Sequence, residues 1–225
     1  MLEALDGLTV DWSDLPKARA QTDEILRALA EDKAALSTLI ERSREEDDLF
    51  DKCEHHRLLD KLVIYDALDR GFRIRVHVST EDHRDRPHDH RFSFTSLILR
   101  GSYRHVRHQL VGRPEDIPDE VQDDFDARDT DLRVEPRFVT REVAGNCYTL
   151  HHSEIHTTFT TPDTVSLFLR GPAEKERSLI TERETGRLWW RFGEEKEKTE
   201  RRTSKRIDRR YFDELTRRLR NMEVL

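Results

Sequence analysis

The segment of this sequence best placed to do chemistry is His88-Asp89-His90. Side chains alternate along an extended strand, so histidines two apart point to one face, where two imidazoles can grip one divalent metal ion. The run from Arg91 to Arg100 is rich in β-branched and aromatic residues and ends in a turn at Gly101-Ser102. That pattern predicts that the histidine pair opens a strand. A third imidazole is available at His156, on a later predicted strand. Three neutral imidazoles bind divalent iron, copper, nickel or zinc and leave positions open for water, oxygen or substrate. His151 and His152 offer a third ligand in a shifted register.

Other residues fall around this set by parity. Phe92 and Phe94 share the ligands' face and are expected to line a pocket and keep it dry, although core packing explains them equally well. Asp89 points the other way and is expected to hydrogen-bond a neighbouring turn. Tyr103 and Tyr148 are candidate proton donors, or buried structural tyrosines. His105 and His108 have opposite parity, so at most one faces inward if their strand is regular. Arg73 and Arg75, on the strand before the motif, could clamp a carboxylate or face outward as surface charges. The sequence contains no G-x-S-x-G, G-x4-G-K-[ST] or G-x-G-x-x-G, so serine-hydrolase, P-loop and Rossmann readings find no support. Cys53 and Cys147 stand too far apart for a zinc finger and are too few for a disulfide framework.

These residues resemble the first motif of the cupin superfamily, roughly G-x5-H-x-H-x3,4-E-x6-G. His88, His90 and Gly101 keep its spacing, and Phe94 stands at the glutamate position. The second cupin motif can be laid on Gly145 to His156, with His151, Ser153 and Thr160 replacing the usual proline, glycine and asparagine. The set is similar to the three-histidine cupins, of which thiol dioxygenases are the best known. The stretch from Pro162 to Pro172 is similar to the Ser-Leu-His-Leu-Tyr-Ser-Pro segment of cysteine dioxygenases. Ser166 is kept there, whereas Phe168 and Arg170 replace the histidine and tyrosine. The resemblance spans about residues 70 to 192. It implies His88, His90 and His156 as metal ligands, Fe(II) as the favoured ion, with Zn(II) or another transition metal as alternatives. It also implies Ser166, Phe168 and Arg170 on the inward face, with Arg170 placed to hold a substrate carboxylate.

The elements that must position these residues are legible to different degrees. Residues 1–70 are expected to form a helical extension: Ser13 or Asp14 caps a helix with Pro16 in its first turn. Ile25, Leu26, Leu29, Leu36, Leu39 and Ile40 then recur at helical spacing. A second helix is predicted from about Glu54 to Asp69, ended by Gly71. From Phe72 the period becomes two, with Phe72, Ile74, Val76 and Val78 alternating with Arg73, Arg75 and His77. Further strands are predicted at 92–100, 102–111, 136–143, 146–151, 156–161, 164–170, 177–181 and 187–192. The fold class expected is mainly β: an antiparallel jelly-roll barrel over 71–193, interrupted by an acidic insertion at 113–135. That insertion reads as a lid or as a solvated loop. Residues 194–225 read as a charged segment ending in a docking helix, with Tyr211, Phe212, Leu215, Leu219 and Met222 on one stripe.

Composition narrows the functional class. In 225 residues, 39% are charged and 35% hydrophobic, and the net charge is −7. One sizeable domain with appendages is expected, with no nucleic-acid partner. No apolar run is long enough to span a bilayer, and the first residues lack the pattern of a secretory signal. A cytoplasmic protein is therefore expected, with a homodimer possible. Three functions are carried forward. The first is a non-haem iron oxidoreductase, dioxygenase-like, acting on a small carboxylate- or amine-bearing metabolite. The second is a zinc enzyme catalysing an isomerisation, lyase or ligation step. The third is a non-enzymatic metabolite-binding module. Arg170 and Tyr103 are the candidate catalytic groups, and Phe92, Phe94, Ser166, Phe168 and Arg75 the candidate substrate contacts.

Overall fold

The computed structural model describes residues 2–113, 132–182, 184–185, 187–193 and 203–225. Four helices come first: α1 (Leu2–Asp6), α2 (Leu15–Glu31), α3 (Lys33–Glu45) and α4 (Asp47–Phe50). Strands β1 (Glu54–His55), β2 (Leu59–Ala67), β3 (Phe72–Ser79), β4 (His83–Arg84), β5 (Phe94–Arg100) and β6 (Ser102–Val111) follow. The remaining strands are β7 (Arg133–Val143), β8 (Cys147–Leu150), β9 (Ile155–Thr160), β10 (Val165–Arg170), β11 (Arg177–Thr181) and β12 (Leu188–Phe192). Helix α5 (Arg209–Asn221) lies near the C-terminus.

Strands β1-β2-β3-β10-β5-β8 form one sheet in that order, and β4-β9-β6-β7 form a second. The hairpin β11-β12 extends the second sheet through His88, which bridges His156 on one side and Ile180 on the other. Every pairing between these strands is antiparallel. This is the double-sheet jelly roll expected from the strand pattern.

The helices form because their caps and apolar stripes agree. Asp14 accepts from Lys17 N–H and caps α2, Asp32 accepts from Ala35 N–H and caps α3, and Asp208 accepts from Tyr211 N–H and caps α5. Their stripes close over the outer face of the larger sheet. Leu26, Leu29, Leu36, Leu39, Phe212, Leu215 and Leu219 share one buried cluster with Leu62, Ile64, Ile74, Val76, Val78, Leu167 and Leu169. Strand β3 is consequently buried on both sides. Its apolar side chains face the helices, and the opposite face, carrying Arg73, Arg75 and His77, lines the barrel.

Two expectations need correction. The helix predicted over Glu54 to Asp69 is absent; β1 and β2 occupy that stretch, so the sheet starts well before residue 71. A bulge between Val63 and Tyr65 breaks the alternation of β2. Both its faces are also buried, so its apolar residues imitate helical spacing. Gly71 ends a single 3-10 turn, Leu68–Arg70, instead of a helix. The predicted insertion is shorter at its end, because Arg133 to Glu135 already belong to β7; its residues 114–131 lie outside the described residues. Among the described residues no helix is long and apolar enough to cross a membrane.

Candidate metal centre

His88 and His90 do not stand on β5. They lie in an extended lead-in wedged between β9 and β11, and residues 91–93 separate them from the strand. The lead-in is pinned by its backbone. His88 N–H donates to His156 O (3.0 Å) and His156 N–H donates to His88 O (2.8 Å). Asp89 N–H donates to Leu179 O (3.0 Å), and His90 N–H donates to His152 O (3.3 Å). Because this stretch is extended, the two imidazoles share a face as the spacing predicts. Asp89 points away: it accepts from Leu179 N–H (2.7 Å) and from Lys175 Nζ (2.5 Å). Burial pushes its carboxyl above the usual range, against the pull of Lys175.

One donor nitrogen from each of His88, His90 and His156 lies within 4.8 Å of the others. His90 Nε2 and His156 Nε2 are 2.8 Å apart. Two imidazoles each about 2.0 Å from one ion at right angles span about that separation. His88 Nδ1 stands 2.7 Å from Arg86 O, a carbonyl that can only accept. Nδ1 of His88 therefore donates to this carbonyl, which leaves Nε2 as the nitrogen that would face a metal. Burial, reinforced by neighbouring histidines, holds His90 and His156 well below the usual imidazole range. Both rings are thus neutral at physiological pH, the state that ligates metal. The donor set fits a divalent transition metal.

A second layer orients the third ligand. His156 Nδ1 is 2.9 Å from Nε2 of His105, which is completely buried. Glu142 Oε1 lies 3.7 Å from His105 Nδ1, within electrostatic reach but too far for a hydrogen bond. Burial and then Arg107 lower the His105 pKa to about 3. Such imidazole partners fix the rotation and tautomer of a ligating histidine. Arg107 stands opposite His156 in the β6–β9 register and pairs with Glu154 at 2.6 Å. Strand β6 pairs with β9 in unbroken register from Tyr103 to His108, so its side chains alternate. His105 therefore faces the ligands, while His108 bonds Thr157 Oγ1 (2.9 Å).

The other predicted residues gather on the barrel's inner face. Phe94 packs against His90 (centroids 4.8 Å) and Phe168 (4.5 Å), and Phe92 lies 5.4 Å from His90. The Arg170 guanidinium sits 4.3 Å over the Phe92 ring, in register with Phe94. Arg75 stands opposite Phe168, and Ser166 opposite His77. Arg73 is committed elsewhere, in a two-bond pair with Asp66 (2.9 and 2.8 Å). Tyr103 is one layer back: its hydroxyl bonds Tyr148 Oη, and Tyr148 packs on His105 (4.9 Å).

Sequence reasoning missed the parts that register brings in. Arg107 shares strand parity with His105, a signal available in the sequence, but its place opposite His156 depends on pairing. Lys61 stands opposite His77 and pairs with Glu54 at 3.2 Å. Both were hidden inside the stretch read as helix.

His77 supplies a test of this interior. It stacks on Phe168 (4.4 Å), and its buried Nε2 has no hydrogen-bond partner among the described residues. Burial, then the charges of Lys61 and Arg75, hold its imidazole well below the usual value. The unfolded chain titrates that histidine near pH ~6.5, so below that pH it binds more protons than the native chain and stability falls. Denaturation of metal-free protein should show a loss of stability from pH 7 to pH 5. His77→Phe should flatten that slope by up to one proton, about 1.4 kcal/mol per pH unit. An unchanged slope would mean that the ring protonates freely in the folded barrel.

No protein-family model matches the sequence, and no curated protein matches it. Solved structures do superpose on parts of it. KdgF from Halomonas sp. is 12% identical over 53% of this chain and 84% of its own, with a TM-score of 0.34. An RmlC-like cupin from Shewanella frigidimarina is 11% identical over 55% and 86%, with a TM-score of 0.36. An oxalate decarboxylase from Lactobacillus farciminis is 8% identical over 56% and 32%, with a TM-score of 0.36. These likenesses assign no chemistry to the chain.

Proposed function

We propose that this chain is a cupin-type metalloenzyme, a non-haem iron oxidoreductase acting on a small metabolite that carries a carboxylate. The observation that carries the metal assignment is the convergence of three imidazoles, with His90 Nε2 and His156 Nε2 2.8 Å apart and His88 locked by Arg86 O. When bound, a divalent ion in such a set supplies Lewis acidity and, as iron, redox chemistry with oxygen.

The chain's own residues would bind and orient the substrate. Arg170, stacked on Phe92 and in register with Phe94, would hold a substrate carboxylate. Arg75 is a second candidate cation on the same inner face, and Ser166 a neutral hydrogen-bonding contact. Phe92, Phe94 and Phe168 keep water off one side of the site, which strengthens each charge interaction inside it. Burial raises Tyr103 well above its ordinary value and pushes Tyr148 up to about 12. Both phenols therefore keep their protons at neutral pH. Tyr103 acts through Tyr148 and His105, as a positioning residue.

The test is oxygen uptake by protein reconstituted anaerobically with Fe(II), screened against small carboxylic and amino acids and compared with Zn(II)-loaded protein. Iron-dependent uptake with an acid supports the reading. Turnover of the acid by zinc-loaded protein without oxygen use would replace it with Lewis-acid chemistry. Binding without turnover in either form would leave a metabolite-binding module. For an acid that passes the screen, Arg170→Met should raise KM about tenfold or more while metal content stays constant, the loss expected for one charge-assisted pair. An unchanged KM would remove Arg170 from the substrate site.

A further inference from the structure

Beside the three-imidazole centre, but outside it, His151, His152 and Glu174 bring one donor atom each to within 4.8 Å of one another. We propose that these residues form a second, rim metal site that takes a divalent transition ion such as zinc through two imidazoles and one carboxylate. Glu174 Oε2 lies 3.2 Å from His152 Nδ1. Two donors each about 2.0 Å from one tetrahedral ion are about 3.3 Å apart, so this edge is already the size an ion requires. His152 Nδ1 is buried and, despite the facing carboxylate, makes no hydrogen bond of acceptable geometry. The remaining separations need to contract by at most about 1.5 Å to close on such an ion.

The ligands are held before any ion arrives. Ser93 N–H donates to Glu174 Oε1 (2.8 Å), which leaves Oε2 for the site. His152 N–H donates to Ser93 Oγ (3.2 Å), and His151 N–H donates to Glu154 Oε1 (3.2 Å). Glu154 N–H closes the turn on His151 O (3.0 Å), and Glu174 N–H donates to Arg91 O (2.7 Å). His151 Nδ1 lies 2.8 Å from Ser153 Oγ and accepts from Ser153 N–H (3.4 Å), so the turn holds this ring in place. The side chains of His152 and Glu174 are only 22% and 23% exposed, so they are less solvated than typical surface groups. Because His90 N–H leans on His152 O, an ion on the rim would also stiffen the segment that carries a ligand of the first centre.

The proposal does not depend on the chemistry assigned to the first centre, and one experiment separates the two. Full-length protein is dialysed against buffered Zn(II), and bound zinc is counted for four forms. Two ions are expected in the wild type, and one in His88→Ala/His156→Ala. One is expected in His151→Ala/Glu174→Gln, and none in the combined variant. A wild type saturating at one ion, with His151→Ala/Glu174→Gln unchanged, overturns the rim site and leaves the first intact. A wild type saturating at one ion, with His88→Ala/His156→Ala unchanged, would do the reverse. Co(II) added to His88→Ala/His156→Ala gives a check that spares the rim residues. Visible d–d absorption of a nitrogen–oxygen site supports the proposal, and an aqueous cobalt spectrum rejects it.

Discussion

Replacing His88 and His156 together by alanine is expected to strip the ion of the three-imidazole centre, lowering the metal count after dialysis by about one per chain. Each substitution removes a donor nitrogen, and His90 alone cannot retain a divalent ion against water. The fold should survive, because the bonds joining these two positions are main-chain: His88 N–H to His156 O and His156 N–H to His88 O. An alanine makes both. Elemental analysis gives the metal count, and circular dichroism checks that the barrel is intact. Undiminished metal in a folded variant would sink the three-imidazole assignment. Loss of metal together with collapse of the fold would show that the histidines, or the ion itself, hold the sheets together.

Gly71→Ala is expected to cost about 3 kcal/mol or more, among the largest effects of any single methyl group in this chain. Gly71 adopts φ +91°, a left-handed conformation that other residues reach only with strain. A Cβ there would also collide with the carbonyl oxygen of Val10. The collision cannot be relieved by a rotamer change, since the obstacle is backbone. Val10 N–H donates to Arg70 O (3.0 Å), and Trp12 Nε1–H donates to Gly71 O (2.8 Å), so the N-terminal segment is tied to this turn. Urea denaturation should show a midpoint lower by about 1 M or more. A shift within error would mean that the segment around Val10 moves aside at little cost.

The strands from Phe72 onward were legible because period-two alternation is local and Gly or polar turns punctuate it. The predicted and observed limits of β6 and β11 coincide. Strand β2 was not legible, because its bulge and two buried faces remove the alternation that identifies a half-buried strand. The ligand triad was legible from spacing and family resemblance. Its support was not: His105, Arg107 and Glu142 reach His156 through the β6–β9 and β6–β7 pairings, which join residues far apart in the chain.

The sequence by itself determined which side chains share a face, roughly where most strands lie, and which three imidazoles can meet. Only the tertiary structure decided which face of each strand lines the barrel. In β3 the apolar face turned outward under the helices, and Arg75 and His77 turned inward. Alternation is set by the backbone of one strand, so it can be read residue by residue. The direction of a face depends on what covers it, and here helices about 20 to 150 positions away in the chain supply the apolar cover.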